Sequence, residues 1–156
     1  RRFLTHRPTG ATNMQRSSTT PDQFLATLPD GVRDDIRTLD AQLTRIFDGH
    51  ERALWEGTMW GGTEQRIIGY GAYRYEGRSG DSGDWFVVGL AAQKAHLSLY
   101  VSAAEDGRYL VKRYADRLGK VKVGSANVTF KRLADLDLPV VLEMAERARD
   151  LMTDRG

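Results

Sequence analysis

The stretch Gln65-Arg66-Ile67-Ile68-Gly69-Tyr70-Gly71-Ala72-Tyr73-Arg74-Tyr75-Glu76 decides the fold. Ile68, Tyr70 and Ala72 alternate with Gly69, Gly71, Tyr73 and Tyr75, a period of two that places successive side chains on opposite faces of a strand. Working outward, Ala53-Leu54-Trp55 begins an earlier strand, and Gly77 to Asp84 is a glycine-rich turn or loop. Trp85 to Ala92 is apolar on both faces, as a central strand should be. Ala95 to Ser102 alternates again, with Leu97, Leu99 and Val101 on one side and His96, Ser98 and Tyr100 on the other. Short β segments are expected at Val121–Val123 and Val128–Phe130.

Helical spacing flanks this β region. Thr20, Pro21 and Gln23 have the pattern of a capping box with proline in the first turn, opening a short helix that carries Phe24, Leu25 and Leu28 and stops at Pro29. Val32, Ile36, Leu39, Leu43, Ile46 and Phe47 then recur at threes and fours, predicting a helix over Asp30–Asp48 with Gly49 as its terminator. Arg108 to Leu118 reads as a helix ended by Gly119. The last helix opens near Pro139, with Val140, Val141, Met144, Ala148, Leu151 and Met152 on its core face. Strands grouped together rather than alternating with helices predict an α+β fold, an antiparallel sheet packed on one face by the N-terminal and C-terminal helices.

The bulk properties bound the function. The 156 residues suit one domain, expected over 21–154, and no run approaches the roughly 18 apolar residues that span a bilayer. The absence of cysteine excludes thiolate nucleophiles and thiolate metal sites within the chain, and no apolar signal segment is visible, so a cytoplasmic address with no membrane partner is expected. Residues 1–20 hold Arg1, Arg2, Arg7 and Arg16 and no acid; taking that +4 from the net +2 leaves −2 for residues 21–156. The basic pI belongs to the tail, which argues against nucleic acid as the partner of the domain. That tail, residues 1–20, shows no apolar periodicity and is expected to be disordered. Met14 is the expected start, with 1–13 as upstream sequence.

Catalytic patterns fail one by one. Gly80-Asp81-Ser82-Gly83 resembles a serine-protease nucleophile segment, yet only His6, His50 and His96 could serve as base, so a hydrophilic turn is the better reading. His50-Glu51 lacks the second histidine of a zinc helix, because Leu54 stands at its position. Gly69-Tyr70-Gly71 lacks the third glycine and the helix of a dinucleotide site. No nucleophile–base pair emerges, so an enzyme is the less favoured class, and no cofactor is expected.

Two clusters remain. Asp30 and Asp34 lie one helical turn apart, with Asp35 beside them, and could hold a hard cation through oxygen, although interleaved Arg33 and Arg37 favour a solvated face. Residues 108–132 carry Arg108, Lys112, Arg113, Arg117, Lys120, Lys122, Lys131 and Arg132 against Asp116, a local +7. Alternation turns Lys120 and Lys122 away from Val121 and Val123, and Lys131 away from Phe130. If these strands share one sheet, His96, Tyr100, Lys120, Lys122 and Lys131 meet on its helix-free face, with Tyr73 and Tyr75 as walls. Such a patch suits a small anionic or aromatic molecule or a protein partner.

Tyr70-Gly71-Ala72-Tyr73-Arg74-Tyr75, Gly77, Asp84-Trp85, Lys94, Leu97-Ser98-Leu99-Tyr100, Leu118-Gly119-Lys120 and Lys131-Arg132-Leu133 together resemble the YdhG-like family of bacterial domains of unknown function. The resemblance runs from about Pro21 to Leu151. It implies a helix-flanked antiparallel sheet. Because some members are frataxin-like, it also implies an alternative role as an intracellular iron chaperone working through the acids of the long helix. Asn127 stands where many members carry a cysteine, so a thiol-based role does not transfer.

Overall fold

A computed structural model describes residues 14–58, 64–76 and 82–153. The segments expected as loop at 77–81 and as tail at 1–13 lie outside the described residues. Helix α1 (Pro21–Leu25) opens as its sequence dictates: Thr20 Oγ1 accepts from the Gln23 N–H, and Gln23 Oε1 accepts from the Thr20 N–H. Helix α2 (Asp30–Ile46) follows Pro29 and buries Ile36, Leu39 and Leu43, the stripe its spacing predicts. Gly49 has φ +85°, a left-handed conformation that glycine adopts without a Cβ penalty.

Among the described residues seven strands form one antiparallel sheet: β1 (Met14–Arg16), β2 (Arg52–Thr58), β3 (Glu64–Glu76), β4 (Ser82–Ala92), β5 (Leu97–Val101), β8 (Lys122–Val123) and β9 (Asn127–Phe130). Their order is β1-β2-β3-β4-β5-β9-β8, every pair antiparallel. A separate hairpin joins β6 (Ala104–Glu105) to β7 (Arg108–Tyr109). Helix α3 (Leu110–Arg113) and helix α4 (Leu138–Thr153) complete the fold; α4 packs on β3 and β4, and α2 packs on α4 and β4. The α+β architecture expected from element order is the one observed. Among the described residues no helix is long and apolar enough to cross a membrane.

Register assigns the faces, because directly paired residues of an antiparallel ladder project to the same side. Val123, Val128, Leu99, Leu90, Ile68 and Leu54 are paired in succession across the sheet. Tyr70, two residues from Ile68, reaches Asp40 on α2, so this row faces the helices. The neighbouring rows, with Lys122, Thr129, Ser98 and Ala91 in one and Trp55 with Arg16 in its continuation, face away.

The far face is not polar throughout. Trp85 stacks on Phe86 at 4.3 Å, Trp55 meets both edge-on, and Phe86 meets the Tyr100 ring at 6.2 Å. Trp55, Ile67, Trp85 and Phe86 are all buried. Gly69 and Gly89 make room for this cluster: a Cβ on Gly69 would stand 2.7 Å from Phe86 Cβ, and one on Gly89 would stand 2.5 Å from Phe86 Cε1. Among the described residues a partly open polar strip runs over β5, β9 and β8, with Lys122 exposed and Thr129 and Tyr100 half-buried.

Three expectations need correction. Residues 14–20 are not a disordered tail. Met14–Arg16 adds an edge strand to β2, and Arg16 explains why: its guanidinium pairs with Glu51 and Asp84 and lies 4.6 Å over the Trp55 ring. Arg108–Leu118 is not one helix. Asp106 (φ 55°) and Gly107 (φ 81°) turn the hairpin, Arg108–Tyr109 complete it, and only Leu110–Arg113 and a 3₁₀ turn at Ala115–Arg117 remain helical. The loop expected to reach Asp84 also ends earlier. Ser82-Gly83-Asp84 is already the start of β4, paired with Glu76, Tyr75 and Arg74 in turn.

Candidate functional site

Of the residues expected on the helix-free face, the sheet brings two together by register. Lys122 pairs with Thr129, Thr129 pairs with Ser98, and Tyr100 lies two residues beyond Ser98 on the same side. Two strand spacings separate Lys122 from Ser98, about 10 Å between backbones. The other residues are placed differently. His96 precedes β5 in a tight turn, where its carbonyl accepts from the Gln93 N–H at 2.8 Å. Lys120 precedes β8, its N–H donated to the Asp135 carbonyl, and Lys131 follows β9, its N–H donated to the Asp135 carboxylate. Strand alternation therefore does not set the direction of these three side chains. Tyr73 and Tyr75 are 8% and 7% exposed, in the core, while Arg74 and Glu76 take the more open positions. They are not walls of an open patch, because the side of β3 that carries them is covered.

Around Tyr100 a hydrogen-bond network appears that the alternation alone does not reveal. Gln93 Nε2 donates to Tyr100 Oη at 3.1 Å and to Gln65 Oε1 at 2.8 Å, and Ser98 Oγ donates to Gln93 Oε1. Ser98 is fully buried, so the amide is held from below. Burial pushes the Tyr100 phenol above its ordinary pKa, partly opposed by the hydrogen bond from Gln93. The phenol thus stays protonated and retains its own O–H to donate. Its acceptor lone pair is engaged by Gln93, as is the Gln65 carbonyl oxygen, which leaves the Gln65 NH₂ also free to donate. The Tyr100 O–H and the Gln65 NH₂ are the donors of this network without a partner among the described residues.

A second feature lies on the other side. A cleft of about 620 Å³ opens at the end of the sheet beside α1, lined by Phe24, Gln15, Glu56, Arg66, Ala92 and Lys94 among others. Gln15 pairs with Glu56 and Glu56 with Arg66, in the rows that face the helices. Gln65 and Gln93 also border it, although the amide of Gln65 is turned to the opposite face with Tyr100.

The acids of α2 are dispersed among protein partners. Asp30 pairs with Arg33 at 2.6 Å, and Asp35 Oδ2 accepts from the Leu133 N–H at 3.0 Å. Asp40, further along the helix, accepts from Arg52 and Tyr70. Asp30, Asp34 and Asp35 are not brought into one cluster, and among the described residues no group of three or more histidine, aspartate or glutamate side chains is arranged to hold a metal.

No family model matches the chain, and comparison with curated proteins and with solved structures found no match.

Proposed function

We propose that the chain is a YdhG-like, cytosolic, non-enzymatic binding domain that holds a small aromatic carboxylate on the open strip of its sheet at Tyr100. One observation supports this above the rest: in the Ser98–Gln93–Gln65–Tyr100 network the Tyr100 O–H and the Gln65 NH₂ are left without a partner among the described residues. A carboxylate supplies acceptors for these donors, and a charged acceptor makes each hydrogen bond stronger. Lys122, exposed on the same face, adds attraction at longer range. The half-buried Tyr100 ring, held edge to face on the buried Phe86, offers contact area to an aromatic body.

The test is titration of the full chain with benzoate and 4-hydroxybenzoate, followed by amide chemical shifts. The expected result is saturable binding with shifts at Ser98, Tyr100 and Thr129, weakened several-fold by Tyr100→Phe and to a lesser degree by Lys122→Ala. Absence of saturable binding, or binding indifferent to both substitutions, overturns the reading.

A further inference from the structure

We infer that the cleft beside α1 is a separate binding site for a small aliphatic amine, whose primary ammonium is received by Glu56. A cavity of about 620 Å³ falls within the range of roughly 300–1,000 Å³ typical of small-molecule sites. Its wall contains an uncommon feature. Glu56 Oε2 is buried and has no hydrogen-bond donor among the described residues. The Glu56 side chain as a whole is 37% exposed, so it is this one oxygen, turned inward, that water does not reach. Buried side-chain oxygens are nearly always partnered, and one without a partner among the described residues can take a donor from a ligand.

Arg66 does not fill the role. Its Nε stands 3.7 Å from Glu56 Oε2, beyond the roughly 3.2 Å limit of a good N–H···O bond, and its side chain is 56% exposed. It supplies charge without a directed proton. Glu64, on the neighbouring strand and also in the lining, brings a second carboxylate to the same end. Phe24 and Ala92 provide an apolar floor for a short hydrocarbon body, and Gly57 leaves the wall without a side chain.

The same lining also holds Arg66 and Lys94, which would favour an anion instead. The two readings differ in what the ligand repairs. Lys94 is exposed and already hydrated, and Arg66 is more than half exposed, so an anion gains little from them against water. The partly exposed carboxylate of Glu56 meets an ammonium in the cleft by turning its buried oxygen toward it, and gains there a donor that water does not supply. An ammonium group has three donors and can meet Glu56 while leaving Arg66 where it stands.

The experiment uses the full chain with pentylamine, pentan-1-ol and pentanoate as probes, followed by backbone amide shifts. Expected is saturable binding of pentylamine, with shifts centred on Gly57, Glu64 and Ala92, at least tenfold tighter than pentanol or pentanoate. Glu56→Gln keeps the shape and removes the charge, and it should weaken pentylamine binding at least tenfold with an unchanged melting temperature. Lys112→Ala, an exposed residue of α3 outside the lining, should leave the amine affinity unaltered. Preference for pentanoate, equal binding of pentanol, or pentylamine shifts that avoid Gly57 and Ala92 in the unaltered chain would each overturn the inference. So would a folded Glu56→Gln variant that binds the amine as before.

Discussion

The Tyr70 hydroxyl on β3 donates to Asp40 Oδ1 on α2 at 2.5 Å, and this bond fastens the long helix to the sheet. Tyr70 is fully buried, and the Asp40 side chain is only 13% exposed. Arg52 on β2 completes the arrangement, its Nε and Nη2 donating to the two Asp40 oxygens at 3.1 and 2.8 Å, with Asp22 of α1 on the same nitrogen at 3.0 Å. The Asp40 carboxylate thus joins α2 to two strands, and Arg52 links α1 to the same point through Asp22.

Removing that carboxylate leaves a buried phenol and a half-buried guanidinium short of partners. Asp40→Ala should therefore cost about 2–4 kcal/mol of stability, near the range for breaking a buried pair and reduced because Arg52 retains Asp22 and some water. Tyr70→Phe leaves Asp40 bound to Arg52 and should cost only about 1 kcal/mol. Urea unfolding of the two variants measures both. Equal losses would mean that Asp40 does not act as the shared node.

The same pair sets an alkaline limit. Burial, reinforced by the Asp40 charge, holds the Tyr70 phenol well above its ordinary pKa, with Arg52 opposing. A folded-state pKa above the unfolded one means that the unfolded chain releases this proton first. Stability from Tyr70 is then fully present below about pH 10, the ordinary tyrosine value, and declines as pH rises beyond it. Tyr70→Phe should lessen the slope of unfolding free energy against pH above 10. An identical slope in the variant would remove Tyr70 from the account.

The glycines under Phe86 make an opposite pair of expectations with a glycine of α2. A Cβ at Gly89 would meet Phe86 Cε1 at 2.5 Å and Ile67 Cγ2 at 2.7 Å inside a filled aromatic cluster. Gly89→Ala should cost about 1–3 kcal/mol through overpacking. Gly31 on α2 has nothing within 4 Å of its would-be Cβ, so Gly31→Ala should stabilise by about 0.4–1 kcal/mol. Thermal melts of both variants decide it, and a harmless Gly89→Ala would show that the Phe86 ring can move.

What could be read from the sequence was what local period records. Leu39 and Leu43 on α2, and Leu97, Leu99 and Val101 on β5, are buried because a stripe or an alternation needs no knowledge of the partner. Tyr73 and Tyr75 show the limit. Alternation separates them from Arg74 and Glu76, yet which side the rest of the chain covers is a tertiary fact. Gln93 could not be associated with Tyr100, since a turn, not a strand, carries it into reach. The β6–β7 hairpin did leave a local signal, Asp106-Gly107, the dipeptide that accepts positive φ at both turn positions. Arg108 to Leu118 read as a helix instead.

β1 had no local signal at all, and its attachment yields the last prediction. Met14–Arg16 is a three-residue edge strand, and Arg16 supplies the side-chain anchors. Its Nη2 donates to Glu51 Oε1 at 2.9 Å, its Nη1 to Asp84 Oδ2 at 3.2 Å, and its plane covers Trp55. Both ion pairs are about a third exposed, with side-chain accessibilities of 36% for Arg16, 36% for Glu51 and 40% for Asp84, so water and salt screen them strongly. Their loss should barely alter global unfolding. The strand itself has little else, so its opening should respond far more. In Arg16→Ala the Ser17 amide, bonded to the Leu54 carbonyl at 2.8 Å, should exchange with solvent several-fold faster while amides of β3 and β4 keep their protection. High salt should move the unaltered chain in the same direction. Unchanged exchange at Ser17 would mean that backbone pairing alone holds β1, and equal acceleration across β3 would mean that Arg16 supports the whole sheet.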